Sequence, residues 1–400
     1  MNSKKISDNT IFSGILILLI LAVSPVFAQS PVPEGAQVEK IADGFLFVEG
    51  PVWRTDGFIV FSDIQGNTVY KWTEAGGKEA FLSPSGNSNG LAEDLEGRLL
   101  LCQHGKRRVA RIEHDGTETE LVSLYDGKKL NSPNDLVVKS DGSIYFTDPP
   151  YGISSNQQEL DFCGIYRLTP DGELILLDKT LNKPNGIALS PDETKLYVDD
   201  TEVRQVYVWD VEPDFTISNK KLLYTMNGFG SADGMTIDNT GNLYVTGPGA
   251  IWIISSDGTL LDKIAVPEEP ANVTWGGEEF QTLFITARTG LYRIKVNATG
   301  YKTGIKPQTE TQLTGFRLYN TYPNPFNPIT TISFSLAQEG KVQLQIYNSL
   351  GQEVATVFNG FMSAGIHRLK WQASDFNSGT YFCRLQAEAR QETVKMTLVK

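Results

Sequence analysis

Asn185-Gly-Ile-Ala-Leu-Ser-Pro-Asp-Glu-Thr-Lys-Leu-Tyr-Val-Asp-Asp200 is the stretch that decides how this chain folds. A short apolar run, Gly186–Leu189, meets the turn formers Ser190-Pro191-Asp192-Glu193. A β-rich run, Lys195–Asp200, leaves them, and such a pair reads as a β-hairpin. The same phrase recurs as Glu49–Asp63, Asn89–Gln103, Asn134–Asp148, Asp233–Gly247 and Asn272–Ala287. Its copies are spaced by about 39 to 51 residues, the period of a four-stranded propeller blade. Second hairpins follow at Arg108–Val122, Cys163–Asp178 and Gly249–Ile264, and two hairpins complete a blade. After the sixth phrase only one clear strand remains, Leu291–Val296, while Val38–Ile41 stands unpaired ahead of the first. Pairing these two closes a ring and removes its open edge. The expected fold is all-β, a six-bladed β-propeller over residues 36–297.

Each phrase opens on a polar residue: Glu49, Asn89, Asn134, Asn185, Asp233 and Asn272. The first strand of each blade lines the central channel, so these six side chains converge on one axis. Two carboxylates neutralise a divalent ion and four carboxamides can fill out its shell. A set of hard oxygen donors without thiol or imidazole suits Ca²⁺ or Mg²⁺ ahead of Zn²⁺. Asn and Asp also favour turns for purely structural reasons, which is the competing reading of each position.

Other chemistries find no footing. The formal net charge of -12 excludes a basic nucleic-acid footprint. There is no H-E-x-x-H, Walker loop or G-x-G-x-x-G, and no G-x-S-x-G set on the strand-to-helix turn of a nucleophile elbow. With three Cys and three His there is no zinc module and no disulfide framework. Whether Cys102 and Cys163 pair is left open. His114 falls in an exposed turn, His367 belongs to the C-terminal part, and His104 follows the second phrase closely enough to reach the channel mouth. The run Asp148-Pro149-Pro150-Tyr151-Gly152 begins a longer loop, through Asp161, where a lid over a pocket would sit.

Several strings resemble the gluconolactonase family, which includes regucalcin (senescence marker protein) and the luciferin-regenerating proteins. They are Glu49-Gly-Pro-Val-Trp53, Asn131-Ser-Pro-Asn-Asp135, Thr147-Asp-Pro-Pro-Tyr-Gly152, Lys183-Pro-Asn-Gly186 and Ala232-Asp-Gly-Met235. The resemblance implies one divalent cation in the channel, Ca²⁺ first, with Mg²⁺, Mn²⁺ or Zn²⁺ as alternatives. It implies Glu49, Asn185 and Asp233 as ligands, Asn134 as a ligand or substrate contact, and Asp233 as general base. Asn134, Asn89 and His104 are placed as substrate contacts. The implied activity is hydrolysis of a small-molecule lactone, a carboxylic ester hydrolysis. Animal members carry a sugar-contacting Arg where this chain has Ser132, which bears on sugar-lactone specificity. Two further readings stay open: phosphotriester cleavage, and a non-catalytic propeller that binds Ca²⁺ or another ligand.

The two ends of the chain carry addresses. Lys4 and Lys5, the apolar run Ile11–Leu21 and Val26-Phe27-Ala28 read as a signal peptide over residues 1–28, cut before Gln29. No other apolar run is long enough to span a bilayer, so the mature chain is expected to have no stable transmembrane segment. Residues 298–317 read as a linker. Beyond them, alternating runs at Ile329–Leu336, Lys341–Asn348, Gly365–Trp371 and Gly379–Ala387 suit a small immunoglobulin-like β-sandwich over 318–400. Tyr322-Pro-Asn-Pro-Phe-Asn-Pro328, Leu350-Gly-Gln-Glu-Val354 and Ser378-Gly-Thr-Tyr381 resemble the C-terminal sorting domain of the type IX secretion system. That implies the secretion machinery as a partner and a secreted or cell-surface location reached through the periplasm.

Overall fold

Burial follows strand order within each repeat. The second strand of a phrase is wholly buried, as in Ile59–Asp63, Leu99–Gln103, Ile144–Asp148 and Leu243–Gly247. The fourth is half-buried or exposed, as in Leu174–Asp178 and Gly77–Leu82. The computed structural model describes residues 30–302 and, beyond them, 316–318, 321, 324–336, 338–363, 365–387 and 390–400. The expected signal peptide lies outside the described residues, as do residues 303–315 of the expected linker. The described chain is all-β apart from a short 3₁₀ turn, Ser155–Gln157.

Six four-stranded antiparallel sheets account for residues 39–295. Their inner strands are Val48–Trp53, Ser88–Glu93, Leu136–Val138, Pro184–Leu189, Met235–Ile237 and Pro270–Gly276. Each inner strand packs on the next, and the last packs on the first, so the arrangement is a closed, propeller-like ring. The sixth sheet takes its outer strand from the other end of the chain. Glu39–Asp43 pairs with Gly290–Lys295, setting Glu39 opposite Arg293 and Asp43 opposite Gly290. The expected closing strand is therefore present, shifted slightly towards the C-terminus. Lys40 Nζ meets Glu268 Oε1 at 2.8 Å and Arg293 Nε meets Glu39 Oε2 at 2.8 Å across this seam. Such exposed pairs contribute about 0–1 kcal/mol. Fully buried Phe61 and Phe146 are each worth on the order of 1.5–3 kcal/mol, so packing between sheets dominates.

After Gly290–Lys295 the chain turns under the ring. Gly300 bridges Asp238, the Tyr301 amide donates to Ile237 O at 3.0 Å, and Lys302 Nζ reaches Glu93 Oε2 at 2.8 Å. Ile237 and Glu93 are the last residues of their inner strands. The segment thus crosses the end of the ring opposite the phrase-opening residues.

The C-terminal region builds a three-stranded and a four-stranded sheet around one core that includes Phe334, Leu344, Trp371 and Leu385. The expected strands are present within a residue or two. Two strands, Arg317–Leu318 and Glu353–Met362, were not among the expected runs; the second carries Asn359-Gly360, a pair that favours turns. Gly360 instead lies within a strand, opposite Val342. Cys102, Cys163 and Cys383 are all free and buried, so Cys102 and Cys163 do not pair. His114 is exposed, and His367 stacks on Phe334 with ring centroids 5.4 Å apart.

Candidate functional site

The ladder is irregular next to four of the phrase-opening residues. Pairing registers shift between Glu49 and Val52, Ser88 and Leu91, Pro184 and Ile187, and Pro270 and Asn272. A bulge of this kind re-aims a side chain, here towards the ring axis. The glycine that follows explains why neighbouring bulges can come so close. Gly50 has φ +48, and a Cβ there would collide with Asn89 O. The amide of Gly90 donates to Asn134 O at 2.8 Å, an approach that a side chain would block. Hydroxyls one residue before the end of four phrases add stitches: Ser62 Oγ donates to Asn89 O at 2.8 Å and Thr147 Oγ1 to Asn185 O at 2.7 Å.

The side chains form a continuous polar floor. Asn89 Nδ2 donates to Asn134 Oδ1, and Asn134 Nδ2 donates to Asn185 Oδ1. Asn185 Nδ2 donates to Thr201 Oγ1 at 3.1 Å. His104 Nε2 lies 3.3 Å from both Asn134 Oδ1 and Asn89 Nδ2. Asp233 stands against Asn185 and close to Glu49, and Glu49 meets Asn272. Asn272 Nδ2 donates to Asp135 Oδ2 at 3.4 Å. All six opening residues and His104 are thus brought together.

The floor is strongly acidic, and among the described residues no Lys or Arg is a partner of its carboxylates. Burial, followed by the charge of Asp135, pushes Glu49 up to about 8. Burial lifts Asp135 to about 7. Asp233 is held well above the usual carboxylate range by burial and then by Glu49. No Lys or Arg is among the groups that shift these three. Burial lowers His104 to about 4, so it is neutral at neutral pH.

Two acids escaped sequence reasoning. Asp135 occupies the position that is glycine in four other phrases, and its carboxylate accepts the Leu136 amide at 2.9 Å. Asp199 is fully buried, and neither of its carboxyl oxygens has a hydrogen-bond partner. Its counterparts in the stacked repeat are Ser62, Cys102, Thr147, Thr246 and Thr286. That departure from hydroxyl or thiol to acid was the signal available. By contrast, the acids that end phrases are structural. Asp63 accepts the Leu46 and Phe47 amides at 3.1 and 3.0 Å, and Asp148 accepts those of Asn131 and Ser132, both at 2.7 Å.

The donor set fits a divalent cation. Asn89 Oδ1 and both Asp199 oxygens are buried without partners, and uncompensated carboxylates crowd the axis. Among the described residues no three His, Cys, Asp or Glu side chains cluster as ligands on their own. An ion here would therefore draw on amide oxygens as well, in keeping with hard-cation chemistry.

Comparison with known proteins agrees with this architecture. Residues 47–289 match the SMP-30/Gluconolactonase/LRE-like region, and residues 320–400 match the secretion system C-terminal sorting domain. A gluconolactonase of Zymomonas mobilis is 37% identical over 66% of this chain and 82% of its own length. The diisopropyl-fluorophosphatase of Loligo vulgaris is 26% identical over 62% of this chain and 87% of its own. The solved structure of a Xanthomonas campestris gluconolactonase superposes with a TM-score of 0.62 at 35% identity, covering 66% of this chain and 91% of that one. The chain belongs to the SMP-30/gluconolactonase/LRE-like family and ends in a secretion-system sorting domain.

Proposed function

We propose that this protein is a secreted, metal-dependent hydrolase that opens a lactone ring. We read its six sheets as the blades of a six-bladed β-propeller and its C-terminal region as an immunoglobulin-like β-sandwich that serves type IX export. The observation that carries the reading is the meeting of the Glu49 and Asp233 carboxylates beside Asn185 and Asn134 with no cationic side chain to offset them. Glu49, Asn134, Asn185 and Asp233 would hold a divalent cation, Ca²⁺ by donor type. Such a cation would polarise the lactone carbonyl and favour the developing oxyanion. Asp233, half-buried and raised by its acidic neighbours, would be ionised with a cation held beside it and would then accept the proton of the attacking water. Asn89 and Asn134 orient the substrate, and neutral His104 fixes both amides.

The test is a panel of lactones assayed with and without chelator, alongside Asp233→Asn and Glu49→Gln. Chelation is expected to abolish turnover. Each variant should lose at least about a hundredfold in kcat, the scale of a lost general base, while keeping a cooperative melting transition. Wild-type rates in both variants would overturn the mechanism. The Loligo vulgaris relative favours a second reading, phosphotriester cleavage at the same site. A higher kcat/KM on a chromogenic organophosphate than on any lactone would select it.

A further inference from the structure

The loop after the third phrase is a fixed wall. Arg107 Nη1 donates to Gln157 O at 2.9 Å, the Lys129 amide to Glu159 Oε2 at 2.9 Å, and Asn131 Nδ2 to Phe162 O at 2.8 Å. The Gly152 amide donates to Ser132 Oγ at 3.0 Å, and a Cβ on Gly152 would strike His104. The Ser132 oxygen thus helps to hold the loop, and the residue is fully buried. Gly152 rests against the histidine that braces the amide floor, and the preceding residue, Tyr151, is carried over the mouth. Its side chain is not packed away, since the residue is 41% exposed. Its hydroxyl is within electrostatic reach of Thr201, Asp233 and Asn185. Lys183 stands 5.9 Å from the ring centroid on the outer side.

We propose that Tyr151 contacts the substrate: its hydroxyl donates a hydrogen bond to the lactone oxygen that faces Asn185, and its ring forms the wall against which the lactone rests. The inference rests on the lactone-hydrolase reading above. A hydroxyl held at the floor, on a ring still open to solvent, is placed to serve a guest as well as the fold. It also supplies a polar contact on the side where Ser132 supplies none.

The experiment is Tyr151→Phe in the full chain, which keeps the ring and removes only the hydroxyl. On the best lactone of the panel, kcat is expected to fall about a hundredfold, the scale of a lost oxyanion donor, with KM nearly unchanged. The corresponding lactam, which cannot be hydrolysed, should bind with wild-type affinity by calorimetry, because a bond that strengthens only as the oxyanion develops leaves ground-state binding nearly unchanged. The rise in melting temperature with added Ca²⁺ should match wild type. Wild-type kcat/KM in Tyr151→Phe, with an active parent, would overturn the role of Tyr151 alone. Loss of the Ca²⁺-dependent rise would also overturn it, making the hydroxyl a support for Asn185. A parent inactive on every lactone would overturn the hydrolase reading and this proposal with it.

Discussion

At the scale of single residues, the axis is a store of unfavourable charge. Glu49 and Asp135 titrate near 8 and 7 in the folded chain because burial disfavours their charged forms. Unfolded, they titrate near the ordinary carboxylate value of about 4. Between those limits the native state binds more protons than the unfolded one, so stability falls as pH rises. Chelator-treated protein is therefore expected to melt at progressively lower temperature from about pH 5 to pH 8. Added Ca²⁺ should raise the melting temperature more at pH 8 than at pH 5, because only there are the carboxylates charged. Thermal denaturation at the two pH values checks this; an equal Ca²⁺ effect at both would show that these carboxylates are not the binding groups. The opening residues were legible because the repeat aligns them in one register. Asp135 and Asp199 were not, because each is an ordinary acid in composition and unusual only against its five counterparts.

At the scale of elements, the bulge with its glycine is the working unit. It turns one side chain to the axis and lets the next blade's backbone close to hydrogen-bond distance. Gly50→Ala forces a side chain into Asn89 O at positive φ, so two penalties coincide. A loss of about 2–4 kcal/mol is expected, from strain and displaced packing together. Urea denaturation measures it, and a midpoint unchanged from wild type would show that the bulge can relax. The hairpins around these bulges were readable because apolar runs alternate with turn clusters. Glu353–Met362 was not, because local turn chemistry at Asn359-Gly360 is overridden by pairing with Gly340–Asn348. The tyrosine wall was legible only as extra loop length; its anchors, such as Arg107 and Ser132, are distant in sequence and carry no local mark.

At the scale of the whole molecule, the ring has two unlike ends. The acids and amides gather at one, and Tyr301 and Lys302 cross the other. A chain ending just after Lys302 should keep the lactone kcat/KM of the full-length protein. Ending it after Asn297 removes the contacts to Ile237 and Glu93 and should lower the melting temperature by several degrees. Equal melting of the two truncations would show that the crossing segment adds nothing. Closure itself was foreseeable by counting strands, since five complete blades and a short sixth leave one strand wanting.

That closing strand also acts as a clock. Glu39–Asp43 is made near the start of synthesis, and its partner Gly290–Lys295 arrives some 250 residues later. A contact this distant along the chain is slow to form, since a long loop must close before it is rewarded. Until then the sixth blade presents a bare edge along Gly290–Lys295, while the other five, each built from consecutive strands, already have all four. The architecture thus postpones the closing of the ring until its entire sequence has been made.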